Sequence, residues 1–217
     1  MKKTLAIIAL AAPALAGTKP AVAPAPAPVP TPAPVVSPWA IELGAGYNKA
    51  AKVTIKGFAD GEDTTQKKVN TWSWDVTGVY NLNENNALTL RLGYAYGNRQ
   101  QDVADRIITN TWSLMPGYRY TYALNDQWSV FAGANIGLVN HAWRIKTEGA
   151  TAHKSTWGFG YSAELGVRYD ICPKWNVFAA YQFSGNTAAP RLDDDEWYVN
   201  TKKQNFHGVR IGVGYTF

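Results

Sequence analysis

The chain has 217 residues, of which 46% are hydrophobic and only 17% charged, with 9 Trp, 12 Tyr, 7 Phe and one Cys. Charge this sparse lies below the roughly 25% of an average soluble domain, aromatic residues this frequent exclude a disordered protein, and a lone Cys excludes a disulfide framework and a multi-cysteine zinc site. The formal charge of +5 is mild and unclustered, so nucleic acid is not an expected partner.

Residues 1–16 read as a secretory signal peptide. Met1-Lys2-Lys3-Thr4 is a short basic start, Leu5 to Ala12 is an apolar core, and Ala14-Leu15-Ala16 offers small residues where a signal peptidase cuts, before Gly17. Leu5 to Gly17 is the longest apolar run, and it is too short for the ~20 residues of a membrane helix. No Cys follows the apolar core, so no lipid anchor is expected. Residues 17–38 form a Pro/Ala-rich linker, expected in the periplasm. The run from Pro20 to Pro38 holds eight of the 12 prolines, and such alternation favours an extended chain without a packed core.

From Trp39 to Phe217 the hydrophobic period is two, which is the pattern of strands with unlike faces. Trp39, Ile41, Leu43, Ala45 and Tyr47 oppose Ala40, Glu42, Gly44, Gly46 and Asn48. Seven further strands follow in the same way, at 71–80, 88–97, 112–122, 128–138, 157–169, 175–183 and 208–217. Two features interrupt the pattern. Pro116 lies mid-strand without a donor for the ladder, which predicts a local bulge, and Phe131 and Phe178 fall on the otherwise polar face.

Connections alternate between short (81–86, 123–127, 170–174) and long (52–68, 98–108, 140–155, 185–204). Short turns at one end and long loops at the other describe an eight-stranded antiparallel transmembrane up-and-down β-barrel, all-β, with periplasmic turns and extracellular loops. The apolar face carries no Lys, Arg, Asp or Glu in the strand interiors and is assigned to lipid. There a midplane charge costs about 2–4 kcal/mol. The other face carries Glu42, Asp75, Arg91, Arg119, Glu164, Arg168 and Arg210, expected to form a charge network in the lumen. Eight strands leave an interior that such side chains can fill, which disfavours a wide pore. Seven of the nine Trp point outward, and with Tyr and Phe they gather near the two strand ends as interfacial girdles.

The chain ends Arg210-Ile211-Gly212-Val213-Gly214-Tyr215-Thr216-Phe217. This end resembles the C-terminal signal of outer-membrane barrels, in which a Gly (here Gly212) precedes aromatics at the third-last and last positions (Tyr215 and Phe217). The resemblance implies that the barrel-assembly machinery reads it during insertion. Residues 39–217 as a whole resemble the small eight-stranded outer-membrane family that includes OmpA-type, OmpX-type and opacity-type barrels. The Pro-rich segment lies before the barrel and no peptidoglycan-binding domain is expected after it, unlike full-length OmpA-type proteins. The resemblance implies a monomer of the cell outer membrane in contact with outer-membrane lipid and lipopolysaccharide. Its role would be structural or surface-interacting, in envelope integrity or in adhesion through four long loops to an extracellular or host-surface ligand.

Rival readings are an outer-membrane hydrolase acting on lipid or peptide and a narrow ion channel. For a hydrolase, His141, His153 and His207 are the only histidines, with Ser155 and Ser184 near the loop end; His207 is the foremost candidate. No residue set is assigned as catalytic, and no cofactor or metal is expected. Asp193-Asp194-Asp195-Glu196 lacks the alternation and Gly of a calcium loop and reads as a solvated loop tip. Lys67-Lys68 and Lys202-Lys203 flank strand starts at the loop end, where they can meet lipid phosphates. Cys172 is expected to be a thiol without a role.

Overall fold

A computed structural model describes residues 37–50, 53–54, 66–67, 70–100, 106–147, 150–188, 191–194, 197–200 and 204–217. The signal segment 1–16 and nearly all of the linker 17–38 lie outside the described residues, as do Lys68, Asp195, Glu196, Lys202 and Lys203. In chain order the strands are β1 (Trp39–Ala50), β2 (Val53–Thr54), β3 (Gln66–Lys67), β4 (Thr71–Asn81), β5 (Asn86–Gln100) and β6 (Arg106–Ala123). They continue with β7 (Trp128–Thr147), β8 (Ala150–Cys172), β9 (Trp175–Asn186), β10 (Arg191–Asp194), β11 (Trp197–Asn200) and β12 (Gln204–Thr216).

Eight of them close into one antiparallel barrel in the order β1-β12-β9-β8-β7-β6-β5-β4, the architecture expected from the period of two. The seam joins the first strand to the last, with Ala40 opposite Thr216 and Ala50 opposite Phe206, and Phe217 N donates to Trp39 O at 3.1 Å. Following paired residues once round from Ala40, through Val79, Thr89, Gly117, Asn135, Ser162, Ser184 and Phe206, returns to Ala50, a stagger of ten residues. With strands ~4.8 Å apart and a rise of ~3.3 Å per residue, that stagger tilts them by about 40° and sets a backbone radius of roughly 8 Å. Such a barrel has room for its own inward side chains and little else.

The two faces separate as the sequence predicts. Inward positions such as Glu42, Thr77, Arg91, Asn135 and Ser162 are buried, while Leu43, Leu90, Ile136, Leu165 and Ile211 are exposed on the outside. Aromatic pairs ring both ends of the outer surface. Trp39–Tyr80 (4.7 Å between ring centroids), Trp128–Tyr169 (4.8 Å) and Trp175–Tyr215 (4.9 Å) stand at the turn end, and Tyr47–Trp72 (4.9 Å) and Tyr94–Trp112 (4.7 Å) at the loop end. Each ring offers an apolar body and a polar edge, which suits a membrane–water interface. Two of the turns are tied by asparagine. Asn83 Oδ1 accepts from the amides of Asn85 and Asn86, and Asn125 Oδ1 from those of Gln127 and Trp128, so the side chain substitutes for a missing backbone partner.

Two sequence expectations change. Pro116 produces no bulge. The β6–β7 ladder loses two pairs between Leu114↔Leu138 and Gly117↔Asn135, but the register is the same on both sides. A missing N–H removes a bond without inserting a residue. Among the described residues, the one register shift in the barrel lies between Asp170 and Cys172, at the β8–β9 turn. Of the segment 140–155, expected as a loop, residues 140–147 and 150–155 instead continue β7 and β8, paired from Asn140↔Trp157 out to Thr147↔Ala150. Likewise β5 and β6 pair as far as Gln100↔Arg106, inside the expected loop 98–108. Outside the barrel, β10 pairs with β11 and β2 with β3.

A closed ladder leaves none of the eight barrel strands with a free edge along its central span. The folded chain should therefore resist SDS at room temperature and migrate differently on a gel until boiled. Identical mobility with and without boiling would contradict closure.

Candidate functional site: the interior charge belt

Six of the seven interior charges foreseen from sequence meet at one level of the barrel. Arg119 forks onto Glu42, Nη1 to Oε1 and Nη2 to Oε2 (2.9 Å), and Nη2 also reaches Glu164 Oε1 at 3.3 Å. Arg91 Nη2 donates to Glu164 Oε2 at 2.7 Å. Arg210 forks onto Asp75 through Nε (2.8 Å) and Nη2 (2.5 Å), with Nη1 at 3.5 Å from Glu164 Oε2. Thr77 bridges the groups. Its hydroxyl donates to Asp75 (3.2 Å) and accepts from Arg91 Nε (3.4 Å) and Arg210 Nη2 (3.3 Å). Three guanidinium groups and three carboxylates balance; five of the six side chains are buried and Asp75 is partly buried. Fork geometry suits Arg rather than Lys, because two parallel donors match the two carboxylate oxygens.

The belt draws on β1, β4, β5, β6, β8 and β12. The remaining barrel strands contribute the two residues that looked out of place. Phe131 on β7 lies under the Arg119 guanidinium, with Cζ 4.9 Å from the ring centroid, and Phe178 on β9 lies under Arg210 at 4.5 Å. The two rings meet edge to face at 6.2 Å and pack with Ala180 as an apolar floor on the turn side of the belt. A cation over a desolvated ring is favourable by about 1–2 kcal/mol, so each Phe stabilises a charge that burial would otherwise penalise. Glycines make the space. A Cβ on Gly44 would lie 2.7 Å from Arg210 Nε and from Asp75 Oδ1, and one on Gly166 would lie 2.6 Å from Phe131 Cζ. A Cβ on Gly212 would strike the Phe178 ring and the Leu43 carbonyl.

Arg168, expected in the network, is not part of it. It is the register partner of Phe178, pairs with Asp170 at 3.3 Å, and is 30% exposed at the turn end. The apolar floor stands between it and the belt. Of the C-terminal residues, Gly212 accommodates Phe178, while Tyr215 packs on Trp175 and on Phe217 (5.4 Å) at the turn-end rim. The hydrolase candidates do not assemble. His207 points outward with Nδ1 3.1 Å from the Tyr181 hydroxyl, whereas Ser184 lines the interior. His153 is exposed, and Cys172 is a free, exposed thiol. Among the described residues no group of three or more His, Cys, Asp or Glu is placed to hold a metal.

On the loop side of the belt lies a cavity of about 100 Å³ with a mixed lining that includes Ser73, Arg91, Ser113, Met115, Val139 and Phe206. Farther toward the loop end, Trp143 and His141 are both almost wholly buried inside, with the Thr111 hydroxyl 2.6 Å from His141 Nδ1. Sequence reasoning missed this pair because the β7 pattern was read only to Leu138. The same period of two, continued, puts Val139, His141 and Trp143 on the inward face.

A family model described as outer membrane protein beta-barrel domain matches residues 4–217. Among solved structures, the chain is similar to Neisserial surface protein A (NspA), at 15% identity and a TM-score of 0.56, over 84% of this chain and 99% of that one. The outer membrane protein AlkL, solved in lipid bilayers, is similar at 12% identity and a TM-score of 0.50, over 89% and 97%. OprG of Pseudomonas aeruginosa is 15% identical over 84% and 97%, with a TM-score of 0.49. No curated protein sequence matches the chain.

Removing one partner of a buried ion pair leaves the other uncompensated, at a cost of about 3–5 kcal/mol. Glu164→Gln should lower the unfolding free energy by about that amount in a urea titration in lipid vesicles. Adding Arg91→Gln to it restores the charge balance and should recover much of the loss. Independent, additive effects of the two changes would show that the belt is not one coupled unit.

Proposed function

The chain belongs to the outer-membrane β-barrel family and resides in the outer membrane, and from there we propose that it works as a monomeric structural and surface-interaction barrel. In this reading it supports the integrity of the envelope and presents its loop end to an extracellular or host-surface ligand. The observation that carries the reading is the filled interior. The neutral belt of Glu42, Asp75, Arg91, Arg119, Glu164 and Arg210, with Phe131 and Phe178 beneath it, draws on all eight barrel strands. An interior spent on cross-linking the wall leaves recognition to the outside, where binding residues on a rigid scaffold usually sit. The separation of His207 and Ser184 onto opposite faces supports a non-enzymatic role.

Partners follow from the same reading. Gly212, Tyr215 and Phe217 serve as the signal for the barrel-assembly machinery, and the outward apolar band contacts outer-membrane lipid and lipopolysaccharide. The chain is organised as a signal peptide (1–16), a periplasmic linker (17–38) and the barrel (39–217).

Replacing the four loop-end connections by short turns should abolish binding of whole cells to host cells or matrix, while the heat-dependent gel shift is retained. Undiminished binding by that variant would remove the adhesion role. Deleting the gene should increase entry of a hydrophobic dye; unchanged entry would remove the envelope role.

A further inference from the structure

The outward surface is not uniformly apolar at its loop-end border. Where β8, β9, β12 and β1 adjoin, four neighbouring strands place hydrogen-bonding side chains together. The Tyr161 hydroxyl on β8 donates to Asn205 Oδ1 on β12 at 2.7 Å. Gly185 on β9 lies beneath that bond, since a Cβ there would strike the Tyr161 hydroxyl and lie 2.7 Å from Asn205 Oδ1. The Tyr181 hydroxyl sits 3.1 Å from His207 Nδ1, which leaves Nε2 of that ring for another partner. Lys49 on β1 is the direct register partner of His207, and both are exposed.

Three further observations define what this patch fits. First, its height: Lys49 lies one outward-facing step beyond Tyr47, which stacks on Trp72 in the loop-end girdle. That is the depth of lipid headgroups, just past the belt of interfacial aromatics. Second, no acid whose side chain is described offsets its charge. Among acids whose side chains are described, Glu42, Asp75 and Glu164 are inside the barrel and Glu84, Asp126 and Asp170 are at the turn end. Among the described residues, none stands opposite Lys49. Third, Leu43, Val209 and Ile211 lie below the patch on the same strands, all more than half exposed, as an apolar bed.

We propose that this patch is a binding site for a phosphorylated glycolipid of the outer leaflet. The Lys49 ammonium and His207 Nε2 hold a phosphate, Asn205 and Tyr161 hydrogen-bond sugar hydroxyls, and the acyl chains lie over Leu43, Val209 and Ile211. The Tyr181–His207 and Tyr161–Asn205 bonds fix the side chains before the lipid arrives, so little rotamer entropy is lost on binding. The site deepens the lipid partnership proposed above and rests on it.

The test uses the full chain refolded in phosphatidylcholine nanodiscs, with bound lipid counted by native mass spectrometry. Bisphosphorylated lipid A should be retained, and dephosphorylated lipid A and phosphatidylglycerol should both bind at least several-fold more weakly. Lys49→Ala should weaken lipid A binding about tenfold, the loss of one charge-assisted hydrogen bond, and Lys49→Arg should restore most of it. Lys174→Ala, at the turn end, should change nothing. Equal binding by parent and Lys49→Ala, or equal retention of the dephosphorylated lipid, overturns the site while leaving the barrel intact. A parent chain without a heat-dependent gel shift would overturn the membrane-barrel reading itself, and the site with it.

Discussion

Glu164 is the point on which the interior turns. Its carboxylate lies within 3.5 Å of guanidinium nitrogens of Arg91, Arg119 and Arg210, carried by three different strands. One carboxylate cannot neutralise three cations, so Glu42 and Asp75 complete the balance from two more strands. The requirement originates in the backbone. Every strand must pair on both sides within lipid, which closes the ladder. A stagger of ten residues over eight strands then sets the radius, and the radius leaves a cylinder that inward side chains must fill. Filling it with polar groups keeps the inward face distinct from the lipid face. Filling it with charges of both signs, each one paired, avoids the large cost of an isolated ion in a low-dielectric space.

Much of this was legible from residue order, and the limits have definite physical causes. A period of two reports which face a side chain occupies, which is why Glu42, Asp75, Arg91, Arg119, Glu164 and Arg210 were placed inside. It does not report height along the barrel axis. Height depends on stagger, a property of pairing between strands. Arg168 shares the inward face with the belt and still falls outside it, because it stands beyond Phe178 where the turn-end solvent reaches it. Phe131 and Phe178 looked like faults in the polar face because their partners, Arg119 and Arg210, come from other strands. Pro116 was expected to distort its strand, yet the register passes through it unchanged. The segment 140–155 is rich in residues tolerated in loops, but its tertiary pairing with β6 and across its own hairpin overrides that composition.

The division of labour within the barrel follows from these constraints. The interior is organised around mutual satisfaction: carboxylate with guanidinium, guanidinium with ring, hydroxyl with both. The exterior is organised around a gradient of polarity along the axis, from one aromatic ring to the other. Groups left over after those demands are met stand at the loop-end border, and Lys49, His207 and Asn205 belong to that small set. The cavity beside Arg91 and the buried Trp143 lie farther along the axis, in the loop-end half of the lumen. The floor of Phe131, Phe178 and Ala180 lies in the opposite half, below the belt.

The paired extension of β7 and β8 has a mechanical consequence. Thr147 and Ala150 still face each other well past Asn140 and Trp157. At ~3.3 Å per residue and a tilt of about 40°, that hairpin rises roughly 18 Å above the level of Asn140. β6 braces it on one side as far as Arg106↔Lys146. It stands as a stiff mast. A body meeting the paired ends at Thr147 and Ala150 is held at a fixed stand-off from the bilayer, clear of the headgroup layer. A sideways pull there is borne as shear along the β6–β7–β8 ladders, where many hydrogen bonds are loaded in parallel, before any strand peels from the wall.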